Sequence, residues 1–157
     1  MKEVTLKVKR LAHCLDLPRY ATAGSAGLDV TAGISEAITI KSGERTQVAT
    51  GLILEIPPGY EGQVRPRSGL AFKAGVSLTN CVGTIDSDYR GELKVLMINH
   101  GEHPYTIEPG DRIAQLMITP IPRVEVLEVN ELSDSHERGS GGFGSTGKTM
   151  IATSEIA

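Results

Sequence analysis

Thr46-Gln-Val-Ala-Thr-Gly-Leu-Ile-Leu-Glu-Ile56 decides the fold class. Val48, Leu52, Leu54 and Ile56 stand two or four residues apart, the spacing of a strand with one buried face. Pro57-Pro58-Gly59 ends the stretch, because proline has no N–H to give to a sheet ladder. Val4, Leu6 and Val8 alternate with Thr5, Lys7 and Lys9 in the same way. Leu93 to Ile98 is an apolar run between Gly91 and Gly101, long enough for a core strand and too short for a helix. Ile113 to Ile118 and Val124 to Val129 read as further strands, with Pro120 and Pro122 between them. Only Gly69 to Gly75 offers a turn or two of helix, closed by glycine at both ends. Eighteen glycines and eight prolines supply turns at sandwich-like spacing. The expected fold is all-β, a jelly-roll-like β-sandwich or barrel with at most one short helix.

A chain of 157 residues, 39% hydrophobic and 22% charged, is one soluble globular domain with room for a real core. The apolar pattern ends near residue 132, so a β core over 1–132 is followed by a flexible glycine-rich C-terminal arm over 133–157. Arg138 to Gly147 holds five glycines in ten residues and cannot bury enough surface to order itself. Phe143 is an aromatic in that arm with no core to serve. A net charge of -3 leaves no basic footprint for nucleic acid. No eighteen apolar residues run together, which argues against a membrane span, and Met1 to Arg10 has no apolar core of a signal peptide. Cys14 and Cys81 form no close-spaced pair and read as reduced thiols. The expected location is cytoplasmic.

The arm carries two nucleotide-binding patterns that its context defeats. Gly142 to Thr149 matches a Walker A loop, and Gly139, Gly141 and Gly144 match G-x-G-x-x-G. Both motifs need a strand before them and a crossover helix after them, and only Met150 to Ala157 follows. What remains is physical. Glycine lets backbone N–H groups approach phosphate oxygens, and Ser145 and Thr146 add hydroxyls.

Four other clusters carry chemistry. Ala26-Gly-Leu-Asp-Val-Thr-Ala32, read alone, is a turn entering a strand. Arg65-Pro-Arg-Ser-Gly-Leu-Ala-Phe-Lys73 is either an anion cradle, with guanidinium forks beside Ser68 and Gly69 N–H, or a solvated turn. Gly83 to Gly91 reads as a hairpin whose Asp86, Asp88 and Tyr89 surround a small planar ligand, though the same residues are common turn formers. In Gly110-Asp-Arg-Ile-Ala-Gln-Leu116, alternation places Gln115 on the face of Ile113, where a glutamine asks for a partner. His100 and His103 lie in a glycine-bounded turn without a third metal ligand, and His13 and His136 have no nameable partner.

Taken in order, these four clusters and Arg138 to Gly147 closely resemble the five motifs of the homotrimeric dUTPase family. The resemblance runs from Val4 to Gly147. It implies a jelly-roll-like fold, a homotrimer with active sites shared between subunits, and an arm that closes over a neighbour's pocket. It implies hydrolysis of dUTP to dUMP and pyrophosphate, which supplies dUMP for thymidylate synthesis and keeps uracil out of DNA. By that resemblance Asp86 is catalytic, holding the water that attacks the α-phosphorus in line. Tyr89 packs on the deoxyribose, while Asn80, Gly83 and Ile85 belong to the segment that reads uracil. Arg67, Ser68, Gly69 and Gln115 take the phosphates, joined by Arg138, Gly144, Ser145 and Thr146 of the arm, and Phe143 stacks on uracil. Mg²⁺ rides on the triphosphate, Asp29 reaches it through water, and Arg112 holds Asp29.

Two rivals stand beside this reading. A dCTP deaminase has a related fold and needs a catalytic glutamate, for which Glu92 is the candidate. A non-catalytic binding module would keep the pocket and dispense with Asp86.

Overall fold

The computed structural model describes residues 3–135 and 139–142. Eleven strands and one helix are assigned among them. In chain order they are β1 (Lys7–Arg10), β2 (Arg19–Tyr20), β3 (Leu28–Thr31), β4 (Ile38–Ile40), β5 (Arg45–Glu55) and β6 (Tyr60–Arg65). Then come α1 (Ser68–Ala74), β7 (Val76–Leu78), β8 (Gly83–Ile85), β9 (Glu92–Asn99), β10 (Tyr105–Ile107) and β11 (Arg112–Pro120). They form a four-stranded sheet β1-β5-β9-β7, a five-stranded sheet β2-β3-β11-β6-β8 and a small β10-β4 pair. Every pairing is antiparallel. The all-β class and the single short helix are both as expected.

β5 keeps its strand period through a bulge. Ala49 pairs with Lys94 and Leu52 with Leu93, so Thr50 and Gly51 have no opposite number. Two extra residues leave the alternation in phase, and Val48, Leu52, Leu54 and Ile56 all point into the core. Gly51 takes φ 72°, and a Cβ there would lie 2.5 Å from Cys14 N. Thr50 turns its hydroxyl inward and donates to Leu93 O at 2.6 Å.

β11 bulges by one residue instead. Arg112 pairs with Thr31 and Ala114 with Val30, leaving Ile113 unopposed. A one-residue slip reverses the faces. Ile113, Ala114 and Leu116 are therefore all buried, and Gln115 points the other way. The expectation that Gln115 shares the face of Ile113 is corrected by this bulge.

The core fills with Ile40, Leu52, Leu93, Met97, Ile107 and Leu116, each worth about 1.5–3 kcal/mol of burial. Gly75 closes α1 at φ 68°. Among the described residues, no helix is long and apolar enough to cross a membrane.

The chain divides into two compact units, Met1–Arg123 and Val124–Ala157. Val124 to Val129, expected as a strand, carries no ladder. Val124, Val126, Leu127 and Leu132 are exposed, and an apolar alternation without a partner edge does not make a strand.

Candidate active site

Gly83 to Gly91 is a crossover between the sheets, which corrects the hairpin reading. β8 pairs with β6 at the edge of the five-stranded sheet, while β9 pairs with β5 and β7 in the other. The chain turns at Asp86, whose carbonyl accepts from Tyr89 N–H at 3.2 Å. Arg90 Nη1 ties the turn down, donating to Ser87 O at 2.7 Å and Tyr89 O at 3.0 Å. Tyr89 Oη donates to Glu92 O at 3.2 Å.

This turn and the one from β7 to β8 flank a cavity of about 230 Å³. Asn80, Thr84, Ile85, Asp86 and Tyr89 line it on one side. Gln47, Lys94 and Leu96 line it from the paired strands β5 and β9. Sequence reasoning missed these last three residues. Their signal is faint: exposed positions on strands whose neighbours Val48, Leu93 and Val95 are buried. Gly83 is buried beside the cavity, where a Cβ would lie 3.1 Å from Asn80 Nδ2.

The second cluster sits on the five-stranded sheet. Arg19, Asp29, Gln115 and Arg65 are successive cross-strand partners, so their side chains share one face. Asp29 is 8% exposed. Arg112 Nη1 donates to its Oδ2 at 3.0 Å, and Arg67 Nε stands 3.5 Å from Oδ1. Arg67 Nη1 also donates to Arg112 O at 2.9 Å. Arg67 Nε itself is buried without a hydrogen-bond partner among the described residues. Gln115 opens onto a separate cleft with Arg65, Gly27 and Cys81. Gly27 makes room for it, since a Cβ there would lie 3.1 Å from Gln115 Cβ.

The structure thus brings Asn80, Ile85, Asp86 and Tyr89 onto one cavity and draws Asp29, Arg67 and Arg112 into one ionic cluster. Ser68 and Gly69 lie exposed at the start of α1, with open space around Gly69. Arg138, Phe143, Gly144, Ser145 and Thr146 lie outside the described residues.

Glu92 is occupied elsewhere. Its Oε1 meets His13 Nε2 at 2.7 Å and accepts from Gly51 N at 2.8 Å. Burial pushes its carboxyl pKa up, but the hydrogen bonds from His13 and Gly51 outweigh this and hold it below the ordinary glutamate range. It is absent from the lining of the Asp86 cavity.

A family model described as dUTPase matches residues 14–147. The chain belongs to the dUTPase family. A deoxyuridine 5'-triphosphate nucleotidohydrolase of an Anaeromyxobacter species is 57% identical, over 92% of this chain and 99% of that protein. The enzyme of the same name from Fusobacterium nucleatum is also 57% identical, over 94% of this chain and all of its own. Among solved structures, the dUTPase of Staphylococcus bacteriophage 80alpha with dUPNHPP superposes with a TM-score of 0.83. It is 29% identical, over 92% of this chain and 99% of that one. A dUTPase of phage phi11 of S. aureus, described as coordinating a structural Mg(II) ion, gives a TM-score of 0.73 at 25% identity, over 81% of this chain and 97% of that one. A carboxylate, an aromatic ring and an amide thus line one small cavity.

Proposed function

We propose that this chain is a dUTP diphosphatase, hydrolysing dUTP to dUMP and pyrophosphate by in-line attack of water on the α-phosphorus. The observation that carries the reading is Asp86 beside Tyr89 and Asn80 on one cavity of a dUTPase-family chain. The relatives' names and the nucleotide solved with the phage enzyme support the substrate.

Asp86 holds the attacking water and accepts its proton as charge develops. Tyr89 packs on the deoxyribose and leaves no room for a 2′-hydroxyl. Asn80, Gly83 and Ile85 belong to the segment that reads uracil, and a wrong base leaves buried polar groups unpaired. Arg67, Ser68, Gly69 and Gln115 take the phosphates. Among the described residues, Lys94 is the one cation in the lining of the Asp86 cavity, so the groups that take the phosphates must reach it from elsewhere. A homotrimer with shared sites supplies them, and the exposed Val124, Val126, Leu127 and Leu132 fit a chain that buries more surface on assembly. The arm then contributes Arg138, Gly144, Ser145 and Thr146 to the phosphates and Phe143 to the uracil face.

Mg²⁺ fits as an ion brought by the triphosphate. Both Asp29 oxygens already face arginines, and no group of three or more metal-ligating side chains stands together among the described residues. Asp29 would meet the hydrated ion through water, with Arg112 supporting it, and the bound ion supplies screening of phosphate charge. A cytoplasmic enzyme of this kind supplies dUMP for thymidylate synthesis and keeps uracil out of DNA. Glu92, tied to His13 and Gly51, counts against the deaminase alternative.

Hydrolysis in ¹⁸O-water tests the reading. Label is expected in dUMP alone; label in pyrophosphate would place the attack on another phosphorus, and ammonia release from dCTP would restore the deaminase.

A further inference from the structure

We propose that Gly91 is a specificity-determining positioning residue, which seats the Tyr89 ring and thereby sets the discrimination of deoxyribose from ribose. The inference rests on the reading that Tyr89 packs against the sugar. A Cβ at Gly91 would lie 2.2 Å from Tyr89 Oη, 2.4 Å from Cζ and 2.8 Å from Cε2. Those are its three nearest heavy atoms, so the Tyr89 ring is what a side chain at position 91 would meet.

The backbone does not ask for glycine here. Gly91 is not among the positive-φ glycines, unlike Gly51 or Gly75. The demand therefore comes from the Tyr89 ring, whose hydroxyl end lies nearest to where a Cβ would stand. Two further contacts fix that pose. Tyr89 Oη donates to Glu92 O at 3.2 Å, just past Gly91, and Arg90 Nη1 holds the Tyr89 carbonyl at 3.0 Å. Held at its hydroxyl end and at its backbone, the ring presents its remaining surface to the cavity that Asp86 lines.

A methyl group at position 91 breaks this seat. Carbon atoms pack at about 3.5–4.0 Å, so the ring must move by more than an ångström and give up its bond to Glu92. Tyr89 is 46% exposed, so outward movement meets little resistance. The wall against the sugar then retreats and a 2′-hydroxyl fits. The dUTP site is otherwise unaltered, so the loss appears in selectivity.

The test is kcat/KM for dUTP and for UTP in the full-length enzyme, with Gly91→Ala, Tyr89→Ala and the double variant, each checked by thermal unfolding. Gly91→Ala is expected to lower the dUTP/UTP ratio by about tenfold to a hundredfold. The double variant is expected to match Tyr89→Ala, because the Gly91 effect passes through the ring. A wild-type ratio in Gly91→Ala with a collapsed ratio in Tyr89→Ala overturns the proposal and leaves the sugar reading standing. A wild-type ratio in Tyr89→Ala overturns the sugar reading and this proposal together. Should Gly91→Ala fail to fold, Tyr89→Phe decides: it keeps the ring, removes the bond to Glu92 and is expected to lower the ratio by about twofold to tenfold. An unchanged ratio there overturns the proposal.

Discussion

Arg112 donates from Nη1 to Asp29 Oδ2 at 3.0 Å, across the one-residue bulge that Ile113 makes in β11. The bulge turns Arg112 away from the alternation of its strand and lets it reach a carboxylate that is 8% exposed. Arg112→Ala leaves Arg67 as the remaining cation at Asp29. We expect the Mg²⁺ concentration for half-maximal turnover to rise by about tenfold to a hundredfold, as when the support of a metal-site group is removed. The cost in stability is expected near 1 kcal/mol, because the Arg112 side chain is 53% exposed and water screens the pair. Mg²⁺ titration of activity, with urea unfolding alongside, checks both.

Asp86→Asn keeps the size of the side chain and removes its capacity to accept a proton from water. Turnover of dUTP is expected to fall by about 10²–10⁴ while dUPNHPP still binds. Single-turnover kinetics with calorimetric binding separates the two effects, and full turnover in the variant would remove Asp86 from its role.

Glu92 gives the fold a defined acid sensitivity. Its folded-state pKa lies below the ordinary 4.5, so the unfolded chain binds the proton more readily between the two values. The contribution is fully present above 4.5 and is lost as pH falls through the lowered folded value. Urea midpoints measured from pH 7 to pH 3 should therefore fall further for the wild type than for Glu92→Gln. Parallel curves would show that Glu92 contributes nothing to acid stability.

Gly51→Ala is expected to cost about 2 to 6 kcal/mol, the sum of left-handed backbone strain and overpacking. Gly51 sits at φ 72° with Cys14 N 2.5 Å from the position of a Cβ. Chemical denaturation reads the loss directly. The effect falls on stability and leaves selectivity among nucleotides unchanged.

The sequence carried the strands wherever their period survived. β5 was legible because its bulge inserts two residues, Thr50 and Gly51, and two keep the phase. β11 was legible as a strand but not in its facing, because one extra residue at Ile113 reverses the faces with no local signal. Val124 to Val129 shows the limit of periodicity: alternation states what a segment could bury, and the partner edge has to come from somewhere. Within the candidate site, Asp86 and Tyr89 could be singled out from the chain because turn residues cluster there, whereas Asn80 came only from the family resemblance. Gln47 and Lys94 could not, since they reach the cavity through strand pairing between distant segments. His13 likewise gained its partner Glu92 only through the fold.

Pyrophosphate release from dUTP, dTTP, dCTP and UTP in the presence of Mg²⁺, by the full chain and by a truncation after Glu137, tests the central claim most directly. Turnover confined to dUTP, and largely lost on truncation, is the expected result. Release from all four nucleotides, or from none, would contradict the claim that Asp86 and Tyr89 line a seat for deoxyuridine.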